Sequence, residues 1–192
     1  MTLWSQSSKK GLSKSNEVIS LLISATTVYP VLDGRASFKQ ILRLWFFVLL
    51  GNLLGAFAGS LLLYMAEPVI HAKTGYEVIA KHLFEFDSQA ILFSSILAGW
   101  LMALGGWLVL AVTSNSAQIL CIFTVTFLIG LGGLHHSIAG SVEALIAVFL
   151  LSKYTILHSI EFVSTAVAGN LIGGSVFVAV LNYAHIRKTQ TL

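Results

Sequence analysis

Residues 118–151 read QILCIFTVTFLIGLGGLHHSIAGSVEALIAVFLL, and this stretch decides the fold. Across its 34 positions it carries one charged side chain, Glu143, so it belongs in hydrocarbon. As one continuous helix it would measure about 51 Å, at about 1.5 Å per residue, and would overshoot a bilayer core of about 30 Å. It must tilt steeply or break. The break is expected at Gly132-Gly133-Leu134-His135-His136-Ser137, where two glycines and a polar run interrupt the apolar sequence.

The rest of the chain agrees with a membrane setting. Of 192 residues, 56% are hydrophobic and 10% charged, against about a quarter charged in an average soluble domain. Windows 44–66, 90–112 and 162–184 contain no Asp, Glu, Lys or Arg. The sequence therefore reads as an all-α integral membrane protein with a polar, basic tail at 1–16, a single transmembrane domain at 17–186 and a short tail at 187–192. Within the domain we expect a half-helix at 18–32, full spans at 41–66 and 90–112, the broken segment at 118–151 and a last span at 160–184. The first of these is short and interrupted by Ser20, Ser24, Thr26, Thr27 and Pro30. Residues 67–89 read as a polar stretch and 113–117 as a tight turn.

The net charge of +3 fixes orientation in such a chain and gives no reason to expect nucleic acid. Arg35, Lys39 and Arg43, together with Arg187 and Lys188, mark the cytoplasmic side. Glu67, Glu77, Glu85 and Asp87 outnumber Lys73 and Lys81 in the 67–89 stretch, which then lies outside. The expected location is the cell membrane, multi-pass, with a cytoplasmic C-terminus. One cysteine, Cys121, permits no intrachain disulfide and no Cys cluster, so neither metal nor other cofactor is expected.

Two five-residue segments 118 residues apart, Gly51-Asn52-Leu53-Leu54-Gly55 and Gly169-Asn170-Leu171-Ile172-Gly173, both lie in mid-span. Each follows an interrupted apolar segment and a polar link, and three crossings separate them, so they run in opposite directions. That is an inverted repeat, the device by which transporters and channels place two discontinuous helices face to face near the midplane. Symmetry asks for about one and a half further helices ahead of residue 18. Met1 to Asn16, with Lys9, Lys10 and Lys14, cannot supply them. Either the chain is N-terminally truncated, with the first span and half of the second missing, or its first segment is re-entrant.

The loop Gly133-Leu134-His135-His136-Ser137-Ile138-Ala139-Gly140-Ser141, the two Gly-Asn segments and Arg43-Leu44-Trp45 resemble the formate/nitrite transporter family. Leu22-Ile23-Ser24-Ala25-Thr26-Thr27 is similar to that family's partner loop in its second span, with Ile and Ser standing where Phe and Thr are usual. The resemblance implies an aquaporin-like inverted repeat with two broken helices, and a homopentamer where the protomer is complete. It also implies passage of a small monovalent weak-acid anion such as formate or nitrite, passively or with a proton. His136 then falls on the central histidine and Ser24 on the pore threonine opposite. Leu22, Ile23 and Ile129 fall on or beside the apolar constriction, and Lys81 and His82 near the outer mouth, where they either attract anions or are solvated loop charges.

The chemistry fits that implication. A charged solute is disfavoured in a low-dielectric path far more than its neutral acid, and an imidazole can donate or share a proton near neutral pH. Backbone donors at the start of the second half-helix, around Ser137 and Ile138, can hold an anion. Intramembrane ionisable residues are functional by default, although His136 could simply satisfy backbone freed at a kink. His135 reads as structural. Glu143 reads equally as a buried partner for a loop donor or as part of the outer vestibule. Gly51, Gly55 and Gly59 form a repeated GxxxG expected to serve close helix packing within or between protomers. The alternatives to a channel are a non-conducting fragment of one and, less favoured, an intramembrane enzyme. For the enzyme the chain offers neither HExxH nor GxSxG.

Overall fold

A computed structural model describes residues 37–180. The half-helix 18–32, with Leu22, Ile23 and Ser24, and both tails lie outside the described residues. Those described form six α-helices with no strand among them.

Helix α1, Phe38–Ile70, begins with a capping box. The Ser37 side chain accepts from Gln40 N–H (3.4 Å), and the Gln40 side-chain Oε1 accepts from Ser37 N–H (2.8 Å). It ends at His71, whose left-handed backbone (φ 53°) returns an N–H to Glu67 O. Pro68 withholds a backbone donor in the last turn, and the helix stops two residues later. Its 33 residues reach about 50 Å and run beyond the apolar 41–66 stretch at both ends.

Helix α2, Lys73–Phe84, occupies what the sequence presents as a polar stretch. Tyr76, Ala80, Leu83 and Phe84 follow a spacing of four, three and one, which gathers them on one helical face. Ala80 and Leu83 are buried, Ala80 with Ala147 and Leu151, and Leu83 with Ile91, Ala144, Phe162 and Ala166. Lys73, Glu77 and Lys81 stay exposed. The charge that suggests a loop is the solvent face of an amphipathic helix.

Helices α3 (Ser88–Ala111) and α4 (Asn115–Leu131) follow, joined by a turn shorter than 113–117 because α4 takes in Asn115, Ser116 and Ala117. Next come α5 (Ser137–Leu150) and α6 (Ile156–Ile172), and α6 runs on through wide π-type turns over Gly173–Val180. Asp87 caps α3 by accepting from Ala90 N–H at 2.7 Å. Asp87→Ala should lower the melting temperature in detergent through a loss of about 1 kcal/mol, and an unchanged melt would show the cap to be idle.

Three helical segments, Phe38–Ile70, Ser88–Ala111 and Ile156–Val176, are long and apolar enough to cross a bilayer. With 17 and 14 residues, α4 and α5 reach about 26 and 21 Å, so neither crosses alone. Residues 132–136 join them into one interrupted apolar segment. Exposed apolar side chains, among them Leu54, Leu62, Met65, Ile119, Phe123 and Leu131, suit a lipid-facing surface.

Small residues set the tightest contact, between α3 and α6. The Gly169 Cα lies where an added Cβ would stand 2.5 Å from Ser95 Cβ and 2.7 Å from Leu92 O. Gly173 abuts Ile96 O, and Gly99 abuts Asn170 O. Helix α1 packs against α5 instead. Ser60 donates to Val142 O (3.1 Å) and to Ala56 O (2.7 Å), and Phe149 sits edge-on to Phe57 and Tyr64. The GxxxG glycines of α1 take no part in this. A Cβ at Gly51, Gly55 or Gly59 would meet nothing within 4 Å among the described residues, so the close packing expected of them is not made there.

Candidate functional site: the break between α4 and α5

The end of α4 follows from two glycines. Gly133 adopts φ +58°, the left-handed region that a glycine enters without a Cβ penalty. Its N–H returns to Gly130 O (3.1 Å), while Leu134 N–H reaches back to Ile129 O (3.0 Å). This pair of bonds is the Schellman closure, which satisfies terminal carbonyls inside the membrane, where no water would.

The five residues 132–136 then need partners for the remaining backbone groups, and three helices supply them. From α2, His82 Nε2 donates to Gly133 O at 3.2 Å. From α3, Ser94 Oγ accepts from His135 N–H at 3.0 Å and pairs with His135 Nδ1 at 2.9 Å. From α6, Asn170 Oδ1 accepts from Ser137 N–H at 2.8 Å, while its Nδ2 donates to Ser95 O (2.8 Å) and His135 O (3.3 Å). One amide thus ties the C-terminal edge of the break, the start of α5 and the middle of α3 together.

His136 is the N-cap of α5, with extended backbone, and its Nδ1 accepts from Ala139 N–H at 3.4 Å. Cap acceptors are ordinarily Ser, Thr, Asp or Asn oxygens, so the ring is doing what a carboxylate or amide does elsewhere. An accepting Nδ1 carries no proton, which places the neutral ring's N–H on Nε2, an assignment that rests on the hydrogen-bond geometry.

Of the site residues read from the sequence, His136, Ser137 and Ile138 meet at the start of α5. Ser137 is buried and its carbonyl accepts from Ser141 Oγ, while Ile138 is half-buried. Ile129 is buried at the last turn of α4 on the other side of the break. Glu143 lies two turns along α5, half-buried and close enough to His82 to interact electrostatically. Lys81 is exposed on the last turn of α2, next to His82. Ser24, Leu22 and Ile23 lie outside the described residues. Among the described residues no three His, Cys, Asp or Glu side chains converge as metal ligands.

His135 is 5% exposed, stacked on His82 and edge-on to Phe86 and Phe162. Of the residues that hold the break, Ser94 escapes a motif reading, while Asn170 and His82 stand out in the sequence only as part of a Gly-Asn segment and of the outer mouth, with no role at the break. The signal for Asn170 was present: an amide in a charge-free span has to find protein partners, and an interrupted helix is where unpaired backbone is available.

Comparison with known proteins agrees with this architecture. The family model described as formate/nitrite transporter matches residues 22–184. The chain is 31% identical over 173 residues to the inner membrane protein YfdC of Escherichia coli (strain K12), an alignment covering 88% of this chain and 54% of that protein. It is 24% identical over 163 residues to the uncharacterized transporter YwcJ of Bacillus subtilis (strain 168), covering 81% of this chain and 62% of that one. The chain thus spans a little over half the length of the curated relatives it matches. With a family match over most of its length and an all-helical, multi-pass membrane fold, this chain belongs to the formate/nitrite transporter family.

Proposed function

We propose that the protein passes small monovalent weak-acid anions, formate or nitrite being the model solutes, across the cell membrane by way of His136. The observation that carries this reading is the capping of α5 by His136 Nδ1, which leaves Nε2–H without a partner among the described residues. A donor in a low-dielectric path stabilises an anion that has shed water. Of the first-turn amides of α5, Ser137 N–H is taken by Asn170 and Ala139 N–H by His136. Ile138 N–H remains without a protein acceptor among the described residues, beside the ring. Imidazole donor and helix N-terminus act together on one negative charge.

The cap also bears on mechanism. A neutral ring whose proton sits on Nε2 hydrogen-bonds the anion readily. To transfer a proton outright without becoming an imidazolate, it would first have to be protonated on Nδ1, at the expense of the bond from Ala139. The geometry favours polarising the solute and sharing a proton supplied with it.

In this reading Ser24 faces His136 from the partner loop of an inverted repeat, and Leu22, Ile23 and Ile129 form the constriction. Lys81 and Glu143 line the outer vestibule, the C-terminus is cytoplasmic, and protomers assemble as pentamers. Support comes from the family match, the interrupted apolar segment and the charge asymmetry of the loops.

Flux of formate and nitrite into proteoliposomes tests it. Wild type should conduct, and His136→Ala, which removes cap and donor together, should lose at least about tenfold. His136→Asn, which keeps an acceptor for Ala139 and one donor, should retain part of the flux. His136→Asp, which keeps the cap and places a negative charge in the path, should retain none. Equal flux in all four proteins would rule out a solute contact at His136.

A further inference from the structure

Most bonds around the break join groups with no charge to lose, but one end of it is held by a side chain that titrates. His82 projects from the last turn of α2, and both its ring nitrogens face acceptors. Nε2 is 3.2 Å from Gly133 O, and Nδ1 is 3.5 Å from Glu85 Oε1. Its ring lies parallel to that of His135, centroids 5.6 Å apart and planes within 7°. Phe86 closes the edge of both rings. The His82 side chain is 47% exposed, whereas His135 is buried and its Nε2 has no hydrogen-bond partner among the described residues. Bulk protons reach one ring of the pair and not the other.

We propose that His82 is a proton-dependent clasp: protonated, it fastens α2 to the first carbonyl of the break, and deprotonated, it lets α2 loosen there. With both nitrogens protonated, His82 satisfies Gly133 O and the Glu85 carboxylate at once and lays a cation against the neutral face of His135. With Nδ1 bare, its lone pair confronts the Glu85 carboxylate, and the Gly133 bond loses its charge assistance. The other groups facing the pair are accounted for. Glu143 on α5 adds negative charge near His82, and Lys81 adjoins it on α2. On α3 the neighbour is the neutral Ser94, and α6 presents Phe162, its Glu161 being engaged with Ser88. A second proton, on His135, would place an N–H where the described residues offer no acceptor, beside a like charge, so the clasp holds one proton and not two.

In the orientation proposed above, α2 faces the outer compartment. Resting on that reading, the clasp makes the geometry of the break answer to outside acidity, the condition under which a weak-acid anion arrives with its proton.

Hydrogen–deuterium exchange on the full chain in lipid nanodiscs tests the clasp without needing transport. After correction for intrinsic exchange, protection of the Lys73–Phe84 amides should be at least about threefold higher in acidic than in alkaline buffer. His82→Gln, which keeps a donor for Gly133 but cannot titrate, should abolish the pH step, Glu85→Gln should shrink it, and His136→Ala should leave it intact. A step that survives His82→Gln, or no step in the wild type, overturns the proposal. Should His82→Gln fail to fold, nitrogen NMR of the wild-type imidazoles decides the matter. His82 must carry both ring protons in the protected form while His135 stays neutral, and a neutral His82 in that form overturns the clasp.

Discussion

Replacing Asn170 with leucine is expected to leave the chain unable to hold its break. The substitution preserves bulk and apolarity in α6, so its effect isolates the amide. Ser137 N–H and the His135 carbonyl would lose their partners where no water replaces them, and Ser95 O would lose a donor from α6. Orphaning a buried backbone group costs about 1–3 kcal/mol, so two of them amount to about 2–6 kcal/mol, a large part of a typical folding free energy of about 5–15 kcal/mol. The expected result is a collapse of the melting transition in detergent and loss of anion flux together. Asn170→Asp should fall between the two, because it keeps the acceptor for Ser137 N–H and surrenders the donors. An Asn170→Leu protein that melts like wild type would show that the break holds itself.

The second large effect concerns the seam between α3 and α6. Gly169→Ala places a methyl 2.5 Å from Ser95 Cβ and 2.7 Å from Leu92 O, and Gly173→Ala drives one into Ile96 O. These obstacles include main chain on a neighbouring helix, which has no rotamer to yield, so the helices must part. Overpacking of this kind costs about 1–3 kcal/mol at a single site, and the parting would also strain the Asn170 bonds that cross the same seam. Gly51→Ala is the control. It occupies the matching place in the first Gly-Asn segment, meets nothing within 4 Å among the described residues, and removes a helix-interior glycine, so it should be neutral or stabilise by up to about 1 kcal/mol. Denaturation of the three variants side by side checks the contrast. If Gly51→Ala proves as damaging as Gly169→Ala, another helix is seated on α1.

The interruption was legible because length alone demanded it: an apolar run too long for the bilayer, with its only glycine pair followed by histidines. The exact closure was less so, since the sequence says that Gly132 and Gly133 end a helix but not which takes the left-handed position. Helix α2 was obscured by its solvent face, where Lys73, Glu77 and Lys81 outweigh a buried face made of one alanine, one leucine and two aromatics. The histidine pair was visible as two adjacent residues, yet their division of labour depends on tertiary neighbours. His135 turns toward Ser94 and His82, while His136 folds its ring back over the first turn of α5. Asn170 illustrates the limit most clearly. Its recurrence in two Gly-Asn segments marks it as important, but only the approach of α6 to α3 shows what the amide holds.

That amide also sets an order of events during synthesis. Asn170 follows Ser137 by 33 residues, so α4 and the start of α5 enter the membrane before their clamp has been made. At about 5–20 residues per second, the ribosome needs about two to seven seconds to supply it. Throughout that interval Ser137 N–H and the His135 carbonyl must be sheltered by the insertion machinery, by water at its lateral opening or by a transient helix neighbour. Helix α6 therefore serves the nascent chain as a late keystone, and interrupting translation between residues 151 and 170 would strand an intermediate whose weakest point is the unclamped break.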